Sequence, residues 1–115
     1  MINPKPEVTI DAFAAVDLRV GIIREVQAFP EAHWPAWKLC VDFGPELGAR
    51  WTSAQVTNYS TDELIGRRVV GAINLGTRRI AGFASAFLVL GAVQDDGRVL
   101  LLEVADDAAP GSPVA

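Results

Sequence analysis

Arg78 and Arg79 stand side by side in Gly-Thr-Arg-Arg-Ile-Ala-Gly-Phe-Ala-Ser, residues 76–85, between two apolar runs. From Leu64 to Gln94 the chain carries no acid, so neither guanidinium has a carboxylate close by in sequence. A guanidinium presents a planar fork that fits carboxylate, phosphate and backbone carbonyl groups. On a loop such a pair serves either solubility or a ligand, and the acid-free surroundings favour the ligand. Ser53 and Gln55 alternate onto one face of an extended segment and, with Ser85, are candidates to line the same surface. Asn74 stays open between a turn residue bonded to its own backbone and an amide facing a ligand. Phe83, between Gly82 and Ala84, reads as a partly exposed ring suited to a stacked base or an apolar side chain. Trp34 and Trp37 lie in a proline-punctuated loop, where one of them is expected to line an apolar pocket. Trp51 is assigned to the core.

Catalytic constellations do not emerge. The single cysteine, Cys40, and the single histidine, His33, lack a third orienting group, and they read as a buried thiol and a loop imidazole. One of each is too few for a protein-built zinc site. No Gly-rich phosphate loop or carboxylate pair is evident. The expectation is a binding protein without enzyme activity, cofactor or metal.

The elements that must position these residues follow from the pattern. The 115 residues, half of them apolar, suit one domain over 1–115, with an N-terminal arm (1–8) and a C-terminal tail (105–115). Apolar runs fall far short of the ~20 residues that span a bilayer, and the N-terminus lacks a signal-peptide core. A cytoplasmic location without membrane insertion is expected. The whole formal charge of −4 belongs to residues 95–115, and the preceding ninety-odd residues are neutral. That acidity weakens phosphate binding, which depends on cations releasing counterions.

Thr9 to Val16 predicts a short helix capped by Thr9 and anchored by Phe13. From Asp17 to Ala28 the period is two, a long half-buried strand with Gly21 as a bend or bulge. Lys38–Phe43 and Arg50–Val56 give two more strands. Ser60 and Glu63 have capping-box spacing, with Gly66 as the stop. Val69–Leu75 and Phe87–Leu90 are further strands, and Asp95-Asp96-Gly97 is a hairpin turn leading to Val99–Val104. Short strands, tight turns and small helices predict an all-β fold in the main. The best fit is a five-stranded OB-fold barrel with a short helix plugging one end. Leu100, Leu101 and Leu102 in a row leave apolar side chains on both faces of the last strand, and a symmetric twin would cover one of them.

Several motifs resemble the tRNA-binding-domain superfamily: Asp17-Leu-Arg-Val-Gly, Lys38-Leu-Cys-Val-Asp-Phe-Gly, Ser53-Ala-Gln-Val-Thr, Ala72-Ile-Asn-Leu, Arg78-Arg-Ile-Ala-Gly-Phe and Leu88-Val-Leu-Gly. Within it, the Ser-Ala-Gln and Arg-Arg-Ile-Ala-Gly-Phe motifs are similar to the CsaA-type export-related chaperones. The resemblance spans roughly residues 10–105. It implies an OB-fold barrel, a homodimer assisted by the terminal extensions, and binding of unfolded or pre-secretory polypeptides delivered to SecA. It also implies a binding face of Ser53, Gln55, Asn74, Arg78, Arg79, Phe83 and Ser85. Relatives often have lysine at the position of Ala84 and an acid at that of Ala86. The tRNA-binding ones commonly have Lys-Pro in place of Gly76-Thr77. These losses leave a more apolar surface, which suits polypeptide better than tRNA, the alternative ligand of the same face.

Overall fold

The computed structural model describes residues 3–115. In chain order its elements are α1 (Ile10–Ala14), β1 (Leu18–Ala28), β2 (Trp37–Asp42), β3 (Ala49–Ala54), α2 (Thr61–Leu64), β4 (Arg68–Ala72), β5 (Arg78–Ile80), β6 (Phe83–Ser85), β7 (Leu88–Val89), β8 (Gly91–Val93) and β9 (Val99–Leu101). Five strands in the order β3-β2-β1-β4-β7 curl into the nearly closed antiparallel barrel that the alternation predicts, while β5–β6 and β8–β9 form separate hairpins.

β1 is long because it serves two neighbours. Its first half pairs with β4, from Leu18↔Ala72 to Ile22↔Arg68. Its second half pairs with β2, ending at Ala28↔Trp37. The register slips between Ile23 and Glu25, so the bulge falls at Arg24 rather than at Gly21. The extra residue lets Ile23 and Val26, three positions apart, reach the same core, which strict alternation forbids. Gly21 has another purpose. A Cβ there would collide with Val41 Cγ1 and stand 2.9 Å from Phe43 Cε1. Gly71 is similar, its missing Cβ lying 2.9 Å from Phe43 Cζ. The Phe43 ring meets Phe87 edge-on at 5.0 Å and fills the room both glycines leave.

Around these rings Leu39, Val41, Val69 and Leu64 are fully buried. Leu64 is the plug: α2 carries it into the core and begins with the expected capping box, Ser60 accepting from the Glu63 N–H while Glu63 accepts from the Ser60 N–H. The barrel closes between β3 and the β6–β7 corner. Ala86 N–H donates to the Trp51 carbonyl at 2.9 Å, and Thr52 Oγ1 donates to the Phe87 carbonyl at 2.7 Å.

The ends behave differently from their prediction. Thr9 caps α1, but no residue of that helix is buried and Phe13 anchors nothing. Five residues cannot both expose their termini to water and turn an apolar face inward without a partner surface. The C-terminal tail is tied down: where β2 leaves β1, residues 111–114 take over the vacated edge. Val20 N–H donates to Ser112 O at 3.0 Å and Val114 N–H to Leu18 O at 2.8 Å, with Arg19↔Pro113 bridged between them. Arg19 and Arg68 hold the same segment by hydrogen bonds to the Gly111 and Ala108 carbonyls. The Asp95-Asp96-Gly97 turn forms as predicted, with Gln94 N–H donating to Arg98 O at 2.8 Å. The strand after it stops at Leu101, which is buried, while Leu100 and Leu102 are exposed. Among the described residues no helix is long and apolar enough to cross a membrane.

Candidate ligand-binding site

The stretch carrying the two arginines is a β-hairpin, not an open connector. Arg78 pairs with Ser85, Arg79 with Ala84 and Ile80 with Phe83. The turn residues Ala81 and Gly82 both have positive φ, 48° and 81°, the geometry that lets a two-residue loop follow the twist of its strands. Alternation then separates the arginines. Arg78, Ile80, Phe83 and Ser85 fall on the side towards the barrel, and Arg79 and Ala84 on the side away from it. Arg79 Nη1 folds back to the Gly82 carbonyl at 3.1 Å.

The barrel-facing side is anchored by hydroxyls. Ser85 is buried. Its Oγ lies 3.0 Å from Thr52 Oγ1 and accepts from the Ser53 N–H at 3.2 Å. Because the Thr52 hydroxyl proton goes to Phe87 O, Ser85 must donate to Thr52, and every group in the cluster is satisfied. Ser85 therefore fixes the hairpin on β3. Phe83 is half-buried, meeting Phe29 edge-on at 5.4 Å and Trp51 at 6.4 Å. Lys38 Nζ sits 4.8 Å from the Phe29 ring centre and 5.0 Å from that of Phe83. Trp51, assigned to the core by its strand position, lies instead on the outer side of β3 in this aromatic group. It shares that side with its cross-strand partner Cys40.

Between this hairpin, the end of β3, the 29–36 loop and the β7–β8 corner lies a cavity of about 620 Å³. Of the expected residues it brings together Trp34, Ser53, Gln55 and Arg78, with Ile80, Leu88, Val93 and Val99 as apolar walls. Trp34 is 63% exposed and Val93 75%, so the rim is apolar and open. Among the described residues Arg78 is its only formally charged lining residue, and no acid lines it. Of the eight arginines, the other seven each make a side-chain hydrogen bond or ion pair to protein; Arg78 makes none among the described residues. A free guanidinium beside apolar walls can take an anionic group next to an apolar one.

Asn74, Arg79, Phe83, Ser85 and Trp37 lie outside the cavity lining. Asn74 clamps the start of β1, its Oδ1 accepting from the Asp17 N–H and its Nδ2 donating to the Ala15 carbonyl, both at 2.8 Å. Trp37 Nε1 donates to the Tyr59 carbonyl at 3.1 Å while its ring packs on the core. Leu88 and Val93 were not foreseen in the site, because a short apolar run looks the same whether it ends inside a barrel or on a rim. His33 is exposed and edge-on to Trp34 at 4.9 Å. Burial first, then Glu25 and Asp42, push the Cys40 thiol pKa up, so the thiol stays protonated.

A twisted antiparallel barrel whose outer face and flanking loops carry the cavity is the architecture of oligonucleotide-binding folds. The family model "Putative tRNA binding domain" matches residues 18–113. The chain belongs to the tRNA-binding-domain family. Within it the likeness is to the CsaA chaperones. The CsaA chaperone protein from Picrophilus torridus superposes with a TM-score of 0.89 at 45% identity, covering 95% of this chain and all of that one (100%). The chaperone CsaA from Bacillus anthracis superposes with a TM-score of 0.90 at 38% identity, covering 96% and 100%. Among curated relatives, the methionine–tRNA ligase of Methanocaldococcus jannaschii is 32% identical over 94% of this chain, which spans only 16% of that enzyme's length.

Proposed function

We propose that the chain is a CsaA-like chaperone that holds unfolded or pre-secretory polypeptides for export, by binding alone and without catalysis. The observation that carries this reading is the open 620 Å³ cavity, whose apolar walls and exposed Trp34, Leu88 and Val93 rim suit side chains of an extended segment. β5 adds a second element. Its hydrogen-bonded neighbour is β6 alone, and the hairpin register turns the Arg79 N–H and C=O away from β6, leaving an edge for another backbone. The likeness to CsaA chaperones supports a delivery role towards SecA and a cytoplasmic site of action as parts of this proposal.

The twin copy belongs to the same proposal. Ile10, 76% exposed, joins Val8 and Phe13 on an arm and helix that bury nothing, and Leu100 and Leu102 lie exposed at β9. A second copy covering these residues makes a homodimer. Sedimentation at micromolar concentration is expected to give twice the chain mass; a monomer there rejects it.

The second reading, recognition of tRNA through the same face, is favoured by the family membership and by Lys38, Arg78 and Arg79 at the hairpin. One titration separates the two: tRNA and an unfolded secretory-type polypeptide in the same buffer across a salt series. The chaperone reading expects polypeptide binding with a shallow salt slope. Steep salt-dependent tRNA binding with no polypeptide binding would replace it by the second.

A further inference from the structure

We infer that the cavity selects polypeptide segments in which an acidic residue lies two positions from a large apolar one, with Arg78 as the specificity-determining residue. This rests on the polypeptide-binding reading and adds to it the charge that the ligand must carry. Among the described residues the cavity is lined by apolar side chains, two neutral polar ones (Ser53 and Gln55), His33 and one arginine, with no carboxylate on any wall. Arg78 alone among the eight arginines has no hydrogen-bond or ion-pair partner among the described residues. The contrast with Arg79 is instructive, since that neighbour points the other way and satisfies itself on the Gly82 carbonyl.

An extended segment with an apolar anchor in the cavity brings the side chains two positions away to the rim, because successive side chains leave a strand on opposite faces and alternate ones share a face. A carboxylate there completes the Arg78 fork, and Gln55 offers an amide beside it. A lysine in the same place meets a like charge with no acid to neutralise it. The overall charge of −4 opposes acidic segments at long range, but it is carried by residues 95–115. The hairpin that carries Asp95 and Asp96 borders the cavity through Val93 and Val99, but Asp96 is paired with Arg98 at 2.8 Å and no carboxylate is among the described lining residues. The local guanidinium therefore decides.

The test uses two labelled peptides with the same Leu-Phe-Leu centre, one flanked by glutamates and one by lysines, titrated by fluorescence anisotropy into the full chain at 150 mM salt. The glutamate peptide is expected to bind about five-fold more tightly. Arg78→Gln is expected to erase that preference while leaving the lysine peptide's affinity no weaker, and Arg78→Lys to restore part of it. Circular dichroism checks that both variants fold, which an exposed and unpartnered side chain permits. Equal binding of both peptides, or tighter binding of the lysine peptide, overturns the inference while the chaperone reading stands. Binding of neither overturns both. In that case a short RNA oligonucleotide or a second copy of the chain, followed by anisotropy and by sedimentation, identifies what occupies the cavity.

Discussion

β3 borders two regions that differ in kind. Inside the barrel, Thr52 faces a space so full that glycine is the residue that fits beside Phe43. A few residues away, Ser53 and Gln55 face a cavity of about 620 Å³ with an open apolar rim. One region is specified by packing, the other is left unfilled. A barrel at the density of an organic crystal cannot adapt to a ligand. Adaptable surface therefore has to lie on the hairpins attached to it, and a short cluster of hydroxyls is what keeps the β5–β6 hairpin in place.

The contrast breaks first at Gly21. Gly21→Ala is expected to cost about 2–3 kcal/mol, since the new methyl group meets Val41 and Phe43 in a region with no slack. Urea unfolding reads this, and a change below 0.5 kcal/mol would mean that the interior yields more than its packing implies. Thr52→Val follows, at about 1–3 kcal/mol, because it strips the hydroxyl that satisfies Phe87 O and Ser85. It should also loosen the hairpin, seen as faster amide exchange at Ser53 and Ala86, whose N–H groups bond across the closure. Ala81→Gly runs the other way. Relieving an alanine at φ 48° is expected to stabilise the chain by about 0.5–1 kcal/mol, with no effect on the barrel interior. Smallest of all, Arg78→Ala should alter stability by less than about 0.5 kcal/mol, an outcome that places the residue in the unfilled region and not the filled one.

A pH titration adds a local reading of the closed half. The Ser60 backbone N–H and then its hydroxyl hold the Glu63 carboxyl below the ordinary glutamate range. A depressed folded-state pKa contributes stability that is complete above the unfolded value and lost as pH falls through the folded one. The α2 cap should therefore persist through the usual glutamate titration range and fray only below it, which the Ser60 amide shift measures by NMR. Fraying at ordinary glutamate pH would show that the box is open in solution.

What the sequence made legible was whatever is local. The capping box and the Asp-Asp-Gly turn are short-range rules, and each appears in the structure. The β5–β6 hairpin was hidden because its turn is Ala-Gly and not the Asn-Gly or Asp-Gly pair that announces such turns. Missing the hairpin made Arg78 and Arg79 look like partners, although strand alternation sends them apart. Asn74 and Ser85 looked available for ligand because their structural partners, Asp17, Ala15 and Thr52, lie 33 to 59 residues away. The bulge at Arg24 left no mark in composition, and it moved Val26 into register with Ile23.

The segment 111–114 on the edge of β1 carries a consequence for handling the protein. Shortening the chain to residue 109 would strip the cover from Leu18 and Val20, leaving unpaired backbone donors and acceptors beside apolar side chains. Such a border is a template on which another molecule's strand can lie down. A trimmed form would then precipitate or exchange strands while its barrel interior stayed sound.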